Sequence, residues 1–187
     1  MISKLKMEET YRCPNKCCTV KIKPYTTTNN DSFDDTQKIN KKKAGVFIYD
    51  PQSDKVLLVQ SRGNLWGPPK GGLQDNEKET DCAIREVCEE TGLIISDSNF
   101  TRCLNIRNAV YFYMEMKECH VDIQDHIPGN DANGIMWIKP SCLINLIELG
   151  NISLSKHCMI AFSKFLECSF PPTSTFNLIE KKNQNNK

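Results

Sequence analysis

The sequence predicts an α/β fold, a mixed β-sheet covered by helices on both faces. Three observations predict it. Apolar runs of strand length stand on either side of a polar turn at residues 51–54. A helix-period stretch ending at Gly92 follows them. Further strand patterns come next, and then two helical patterns close the ordered part of the chain.

Residues 18–23 alternate, with Cys18, Val20 and Ile22 on one side and Thr19, Lys21 and Lys23 on the other, which predicts a short strand. Residues 24–43 turn polar and end in a lysine run at Lys41, Lys42 and Lys43, a linker composition. Residues 1–43 therefore form an N-terminal extension, partly disordered, carrying one strand and the cysteines Cys13, Cys17 and Cys18. A domain over 44–168 and a tail over 169–187 follow. In the domain, AGVFIYD and KVLLVQSR read as strands joined by a turn at Pro51–Asp54. GNLWGPPKGG reads as a loop excluding regular helix or strand. Ala83, Ile84 and Val87 make the core stripe of the next helix, with Cys88 at its edge. Gly92 stops that helix in a left-handed conformation.

Residues 100–107 and 109–116 read as strands. Val110, Phe112, Met114 and Met116 face one way, and Tyr111, Tyr113 and Glu115 the other. Tyr111 and Tyr113 line either a pocket or a sheet packed under a helix. A polar, turn-rich stretch leads to the strand GIMWI, then to helices near 141–149 and 154–167.

Composition narrows the function. The net charge is +1, so no overall basic field argues for nucleic acid. No apolar run reaches the length of a membrane span, and MISKLKMEET lacks the apolar core of a signal peptide. Cysteines among the ten, such as Cys82, Cys88 and Cys158, occupy helix positions where they pack as small apolar groups. Together these features predict a reducing compartment, the cytoplasm, without a membrane and without an obligate protein partner.

The chemistry concentrates in GGLQDNEKETDCAIREVCEETGL, residues 71–93. Glu86, Glu89 and Glu90 stand at i, i+3 and i+4, so their carboxylates share one helix face. Such a cluster repels itself unless a cation lies between its members. Hard oxygen donors in this number suit magnesium or manganese, with a substrate phosphate completing the shell. Gly71 and Gly72 allow backbone to approach the metal or phosphate closely.

Gly71, Glu77, Arg85, Glu86, Glu89, Glu90 and Gly92 match the fixed positions of the Nudix box, and residues 44–168 resemble Nudix hydrolases, an α/β/α sandwich. The resemblance implies hydrolysis of a nucleoside diphosphate linked to another group. WGPPKGG and DCAIREVCEETG resemble the mRNA-decapping Nudix enzymes, both the cellular and the cytoplasmic DNA virus types. The paired prolines also resemble diadenosine polyphosphate hydrolases, and REVCEE is shared with diphosphoinositol phosphate hydrolases. An inactive Nudix scaffold would show a broken box, and this one is intact. The segment ahead of Ala44 is expected to hold no full regulatory helical domain of the cellular decapping type.

By this resemblance Glu86, Glu89 and Glu90 hold the metal, and Glu86 or Glu90 accepts the proton of the attacking water. Arg85 points away from the metal face and pairs with Glu77. The family pattern places a further acid before the downstream tryptophan. Here Met136 stands there, leaving Asp131 or Glu115 for that role. A backbone carbonyl at Lys70 or Gly71 adds a ligand, and the Lys70 ammonium lies near the phosphates. Trp66 stacks on a substrate ring or seals the core under its loop. Trp137 reads as structural. Lys41, Lys42 and Lys43 are candidate RNA-backbone contacts, and capped RNA or a nucleotide is the expected substrate. Cys13, Cys17 and Cys18 can begin a zinc site, but such a site needs four ligands and no histidine lies near them in sequence.

Overall fold

The computed structural model describes residues 9–13, 15–23, 41–61, 65–128 and 130–167. Residues 24–40 and the tail beyond 167, read above as linker and frayed end, lie outside the described residues.

Among the described residues, ten strands and three α-helices follow in the order β1 (Glu9–Arg12), β2 (Thr19–Ile22), β3 (Lys43–Asp50), β4 (Lys55–Ser61), β5 (Leu65–Gly67), β6 (Lys70–Gly72), α1 (Glu79–Thr91), β7 (Arg102–Ile106), β8 (Ala109–Glu115), β9 (Gly134–Ile138), α2 (Pro140–Glu148), β10 (Ser153–Leu154) and α3 (Lys156–Phe165). The sheet runs β1-β2-β9-β4-β3-β8-β7, with β6 on β3, β5 on β4 and β10 on β5. It is mixed: β3–β8 and β5–β10 are parallel and the other pairs antiparallel.

Both faces of the sheet are covered, so the central strands read as continuous apolar runs. Val46, Ile48, Leu57 and Val59 pack with Cys82, Ala83 and Val87 of α1. Phe47, Val56 and Leu58 face the other way, onto Leu143 and Leu146 of α2 and Ala161 and Phe162 of α3. Strand alternation in β3 and β4 thus separates two cores, one per face.

Several boundaries differ from the sequence reading. The stripe of α1 uses Cys82, Ala83 and Val87, while Ile84 is only half-buried. The loop GNLWGPPKGG contains two short strands. β5 pairs with Val59–Ser61, and β6 pairs with Lys43–Gly45. Pro68 and Pro69, which have no N–H to give, fall between them. These strands exist through backbone pairing, which side-chain periodicity does not report. Gly45 permits the approach of β6, because a Cβ there would lie 2.5 Å from the Pro69 carbonyl oxygen. β1 was not foreseen, and β2 pairs along β9, so strands of the N-terminal extension join the domain's own sheet. β3 begins at Lys43, inside the expected linker. The helix α3 starts at Lys156 because the Ser155 hydroxyl accepts from Cys158 N–H as its cap.

Candidate active site

The helix α1 has acidic residues, Glu79 and Asp81, in its first turn, where they complement the helix dipole. It ends at Gly92 with φ 77°, whose N–H closes on the Cys88 carbonyl. Between these ends Glu86, Glu89 and Glu90 occupy one face. That face is laid against β6. The Glu86 carboxylate sits over Gly71, where an added Cβ would come within 2.1 Å of it. Lys70 N–H donates to Glu90 Oε2 at 2.9 Å. β6 is in turn fixed by its pairing with the first residues of β3.

The three carboxylates differ in setting. Glu89 is a third exposed and Glu86 12% exposed, while Glu90 is 3% exposed. Burial raises the Glu86 carboxyl, with Arg85 opposing and Glu89 and Asp131 adding to the rise. Burial pushes Glu90 up to about 8, with Lys70 opposing and Glu86 and Asp131 adding to it. Asp131 is therefore an acid within the field of this cluster. Asn130 anchors its segment, donating to the Glu89 carbonyl at 2.7 Å. Glu115 is not brought there. It pairs in register with Tyr49, whereas β6 meets β3 at Lys43–Gly45, about 13 Å back along the strand. Its carboxylate is exposed and accepts from Tyr113 Oη at 2.7 Å.

Arg85 pairs with Glu77, but it does not point away from the acidic face. Its Nε and Nη2 bind the Glu77 oxygens at 2.7 and 2.9 Å, and Nη2 also reaches the Gly72 carbonyl at 3.1 Å. Its Nη1 donates to Glu86 Oε1 at 2.8 Å and Glu89 Oε2 at 3.0 Å. A guanidinium with five donors spans both sets from one position. Three anionic partners hold the arginine charged and raise its pKa.

Trp66 is not a stacking platform. It is 1% exposed and belongs to the core under α2 and α3. Its neighbour Gly67 has no room to spare, since a Cβ there would lie 3.0 Å from Ser155 Oγ. Trp137 is structural, 5% exposed with its Nε1–H on the Cys119 carbonyl. Tyr111 and Tyr113 are buried in the core that packs under α3, the second of the two readings.

On the cationic side of the site, sequence reading named Lys70 and Lys43 but missed Arg107 and His157. The His157 imidazole is held down first by burial, then by the charges of Lys70, Arg107 and Lys43. Tyr111 Oη lies 3.3 Å from His157 Nδ1. His157 thus lies in the field of Lys70, Arg107 and Lys43, and Lys70 acts on Glu90 as well. The four basic residues come from β6, the β7–β8 turn, β3 and α3, and no local sequence pattern links them. Lys42 pairs with Glu79 of α1, and Lys41 packs over Gly72. The lysine run therefore flanks the site.

Three glutamates on one helix face, one of them buried, with Asp131 in their field, suit a hard divalent cation that relieves their mutual repulsion. Glu86, Glu89, Glu90 and Asp131 would hold it.

Among known proteins, the chain is 34% identical over 152 residues to protein 111R of Invertebrate iridescent virus 3, covering 77% of this chain and 85% of that one. It is 37% identical over 78 residues to the mRNA-decapping enzyme subunit 2 of Arabidopsis thaliana, covering 40% of this chain and 21% of that one. It is 31% identical over 87 residues to the asymmetrical bis(5'-nucleosyl)-tetraphosphatase of Mus musculus, covering 40% of this chain and 59% of that one. No described helix is long and apolar enough to cross a membrane. The NUDIX domain family model matches residues 40–148, the stretch that contains β3 through α2 and the whole carboxylate cluster, and the chain belongs to the Nudix family of pyrophosphohydrolases.

Proposed function

We propose that the chain hydrolyses the pyrophosphate linkage of capped RNA, using magnesium or manganese held by Glu86, Glu89, Glu90 and Asp131. The observation that carries this reading is the junction of two opposite charge sets at β6. Lys70 acts on the buried Glu90 of α1, which also feels Glu86 and Asp131, and on His157, which also feels Arg107 and Lys43. A polyphosphate bridging a cation and a basic rim needs both. A bound divalent cation would neutralise charge on the reacting phosphoryl group and lower the pKa of water. Lys70 and Arg107 orient the phosphates. Glu86, seated on Gly71, or Glu90, seated on the Lys70 amide, takes the water proton. Arg85 positions Glu86 and Glu89 and ties them to Glu77.

For the substrate, the likeness to a decapping subunit over 78 residues supports capped RNA. So does the lysine run at 41–43, which flanks the site and is mostly exposed. The likeness to a bis(5'-nucleosyl)-tetraphosphatase supports a second reading, a free dinucleoside polyphosphate.

The test offers capped RNA, cap dinucleotide, diadenosine tetraphosphate and a diphosphoinositol phosphate side by side with magnesium or manganese. Faster turnover of capped RNA, yielding methylated guanosine diphosphate and a 5'-monophosphate RNA, is the expected result. That preference should shrink as salt rises. Faster turnover of diadenosine tetraphosphate or of the diphosphoinositol phosphate at low salt removes the decapping reading.

A further inference from the structure

Away from the carboxylates, on the face of the sheet opposite α1, four cysteines meet. Cys13 and Cys18 flank the entry into β2, Cys17 precedes Cys18, and Cys142 lies in the first turn of α2. Their sulfurs all lie within 4.8 Å of one another. Cys17 Sγ is 3.7 Å from Cys13, 3.6 Å from Cys18 and 3.4 Å from Cys142. Zinc bound by four thiolates at about 2.3 Å places the sulfurs about 3.8 Å apart. Disulfide sulfurs sit about 2.05 Å apart, much closer than any of these pairs.

We infer that Cys13, Cys17, Cys18 and Cys142 form a closed structural zinc site that clamps the β1–β2 hairpin to the Nudix core.

Three N–H donors point at the sulfurs. Cys18 N–H donates to Cys13 Sγ at 3.3 Å, Lys139 N–H to Cys18 Sγ at 3.4 Å, and Asn15 Nδ2 to Cys142 Sγ at 3.5 Å. Such donors orient the ligands and spread their charge. Cys142 also sits where the helix dipole favours an anion. The chain between Cys13 and Cys17 turns tightly. Lys16 N–H bonds the Cys13 carbonyl at 2.8 Å, and Lys16 takes a φ of 54°. That turn aims Cys13 and Cys17 at one point. Three of the four cysteines are buried and Cys17 is half-buried, so the site is closed rather than open to substrate.

The hairpin needs such a clamp. Its strands have four residues each, and an isolated pair that short is marginal in water. β2 meets β9, and β9 leads directly into α2 through Lys139. A metal joining Cys142 to the hairpin closes this corner on three sides. The sequence hid the site because its fourth ligand lies 124 residues beyond Cys18.

The full-length protein, expressed with zinc and purified without reductant, gives the test. Elemental analysis should find one zinc per chain, retained through a chelator wash that strips magnesium and manganese. Cobalt exchange should give the visible absorption of a tetrahedral tetrathiolate site. The spectrum should persist in Glu86→Gln/Glu89→Gln and vanish in Cys142→Ser, with zinc falling below stoichiometric. After denaturation in chelator all ten cysteines should titrate as thiols. Absent zinc, an undiminished cobalt spectrum in Cys142→Ser, or a deficit of two thiols each overturns the site. Should Cys142→Ser fail to fold, the wild-type zinc content, cobalt spectrum and thiol count still decide the question.

Discussion

Arg85 and Glu77, eight residues apart, are locked through two parallel hydrogen bonds of 2.7 and 2.9 Å, and this pair fixes the turn before α1 to the helix itself. The same carboxylate accepts from Gln74 N–H at 2.8 Å. The Arg85 hydrogen bonds pull the Glu77 pKa from 4.5 down to about 2, against burial. A depressed carboxylate stabilises the fold above its unfolded pKa, and that contribution is lost as pH falls through the folded value. Glu77→Gln should therefore cost about 1.5 to 3 kcal/mol near neutral pH. The gap to wild type should close between about pH 4.5 and about pH 2. Urea midpoints across the acid range measure it, and a gap that does not narrow contradicts the assignment.

Gly71 has a separate role. An alanine there meets the end of the Glu86 side chain, which can swing away without disturbing the backbone. Gly71→Ala should fold with a near-native melting temperature. Its turnover should fall about a hundredfold, the scale expected when a reacting group shifts by about 1 Å. Normal turnover in the folded variant would show that the seat of Glu86 on Gly71 is irrelevant to chemistry.

Asp131 and Glu115 were both candidates for the further acid, and the fold brings only Asp131 into the field of Glu86 and Glu90. Asp131→Asn should lower the turnover of any accepted substrate about tenfold or more and weaken manganese binding. Glu115→Gln should leave both within about twofold, as expected for an exposed side chain remote from the site. Parallel kinetics and manganese titrations on the two variants decide between them; the reverse order would restore Glu115.

The elements legible in the sequence were those whose signals are local. The apolar runs of β3 and β4 stand against the turn at Pro51–Asp54, and Asp50 closes that turn by accepting from Gln52 N–H and Ser53 Oγ. α1 announced itself through its glutamate spacing and its stop at Gly92. What was lost depends on partners far along the chain. β5 and β6 are defined by hydrogen bonds to β4 and β3, and of the two readings of Trp66 that pairing goes with the one that seals the core. His157 comes under the charges of Lys70 and Arg107 only through the tertiary fold, since the three lie on α3, β6 and the β7–β8 turn. Cys142 meets the other three cysteines only because β9 runs beside β2 before entering α2.

Glu90 sets stability against function. It is nearly fully buried beside Glu86 and Asp131, with one backbone N–H in direct contact and Lys70 nearby. A carboxylate so placed opposes folding until a cation joins it. Glutamine keeps the size of the side chain and can still accept the Lys70 N–H through its carbonyl oxygen, but it carries no charge. In chelator, Glu90→Gln should therefore be more stable than wild type by about 1 kcal/mol, a gain of the kind found when functional sites are neutralised. With manganese added, the wild type should gain melting temperature in proportion to its metal affinity, and the variant should gain little. Turnover should fall on the order of a thousandfold. Melting curves with and without manganese, read beside the rates, separate the two effects. A variant that is destabilised in chelator, or that keeps the full manganese increment, would place the cation away from Glu90.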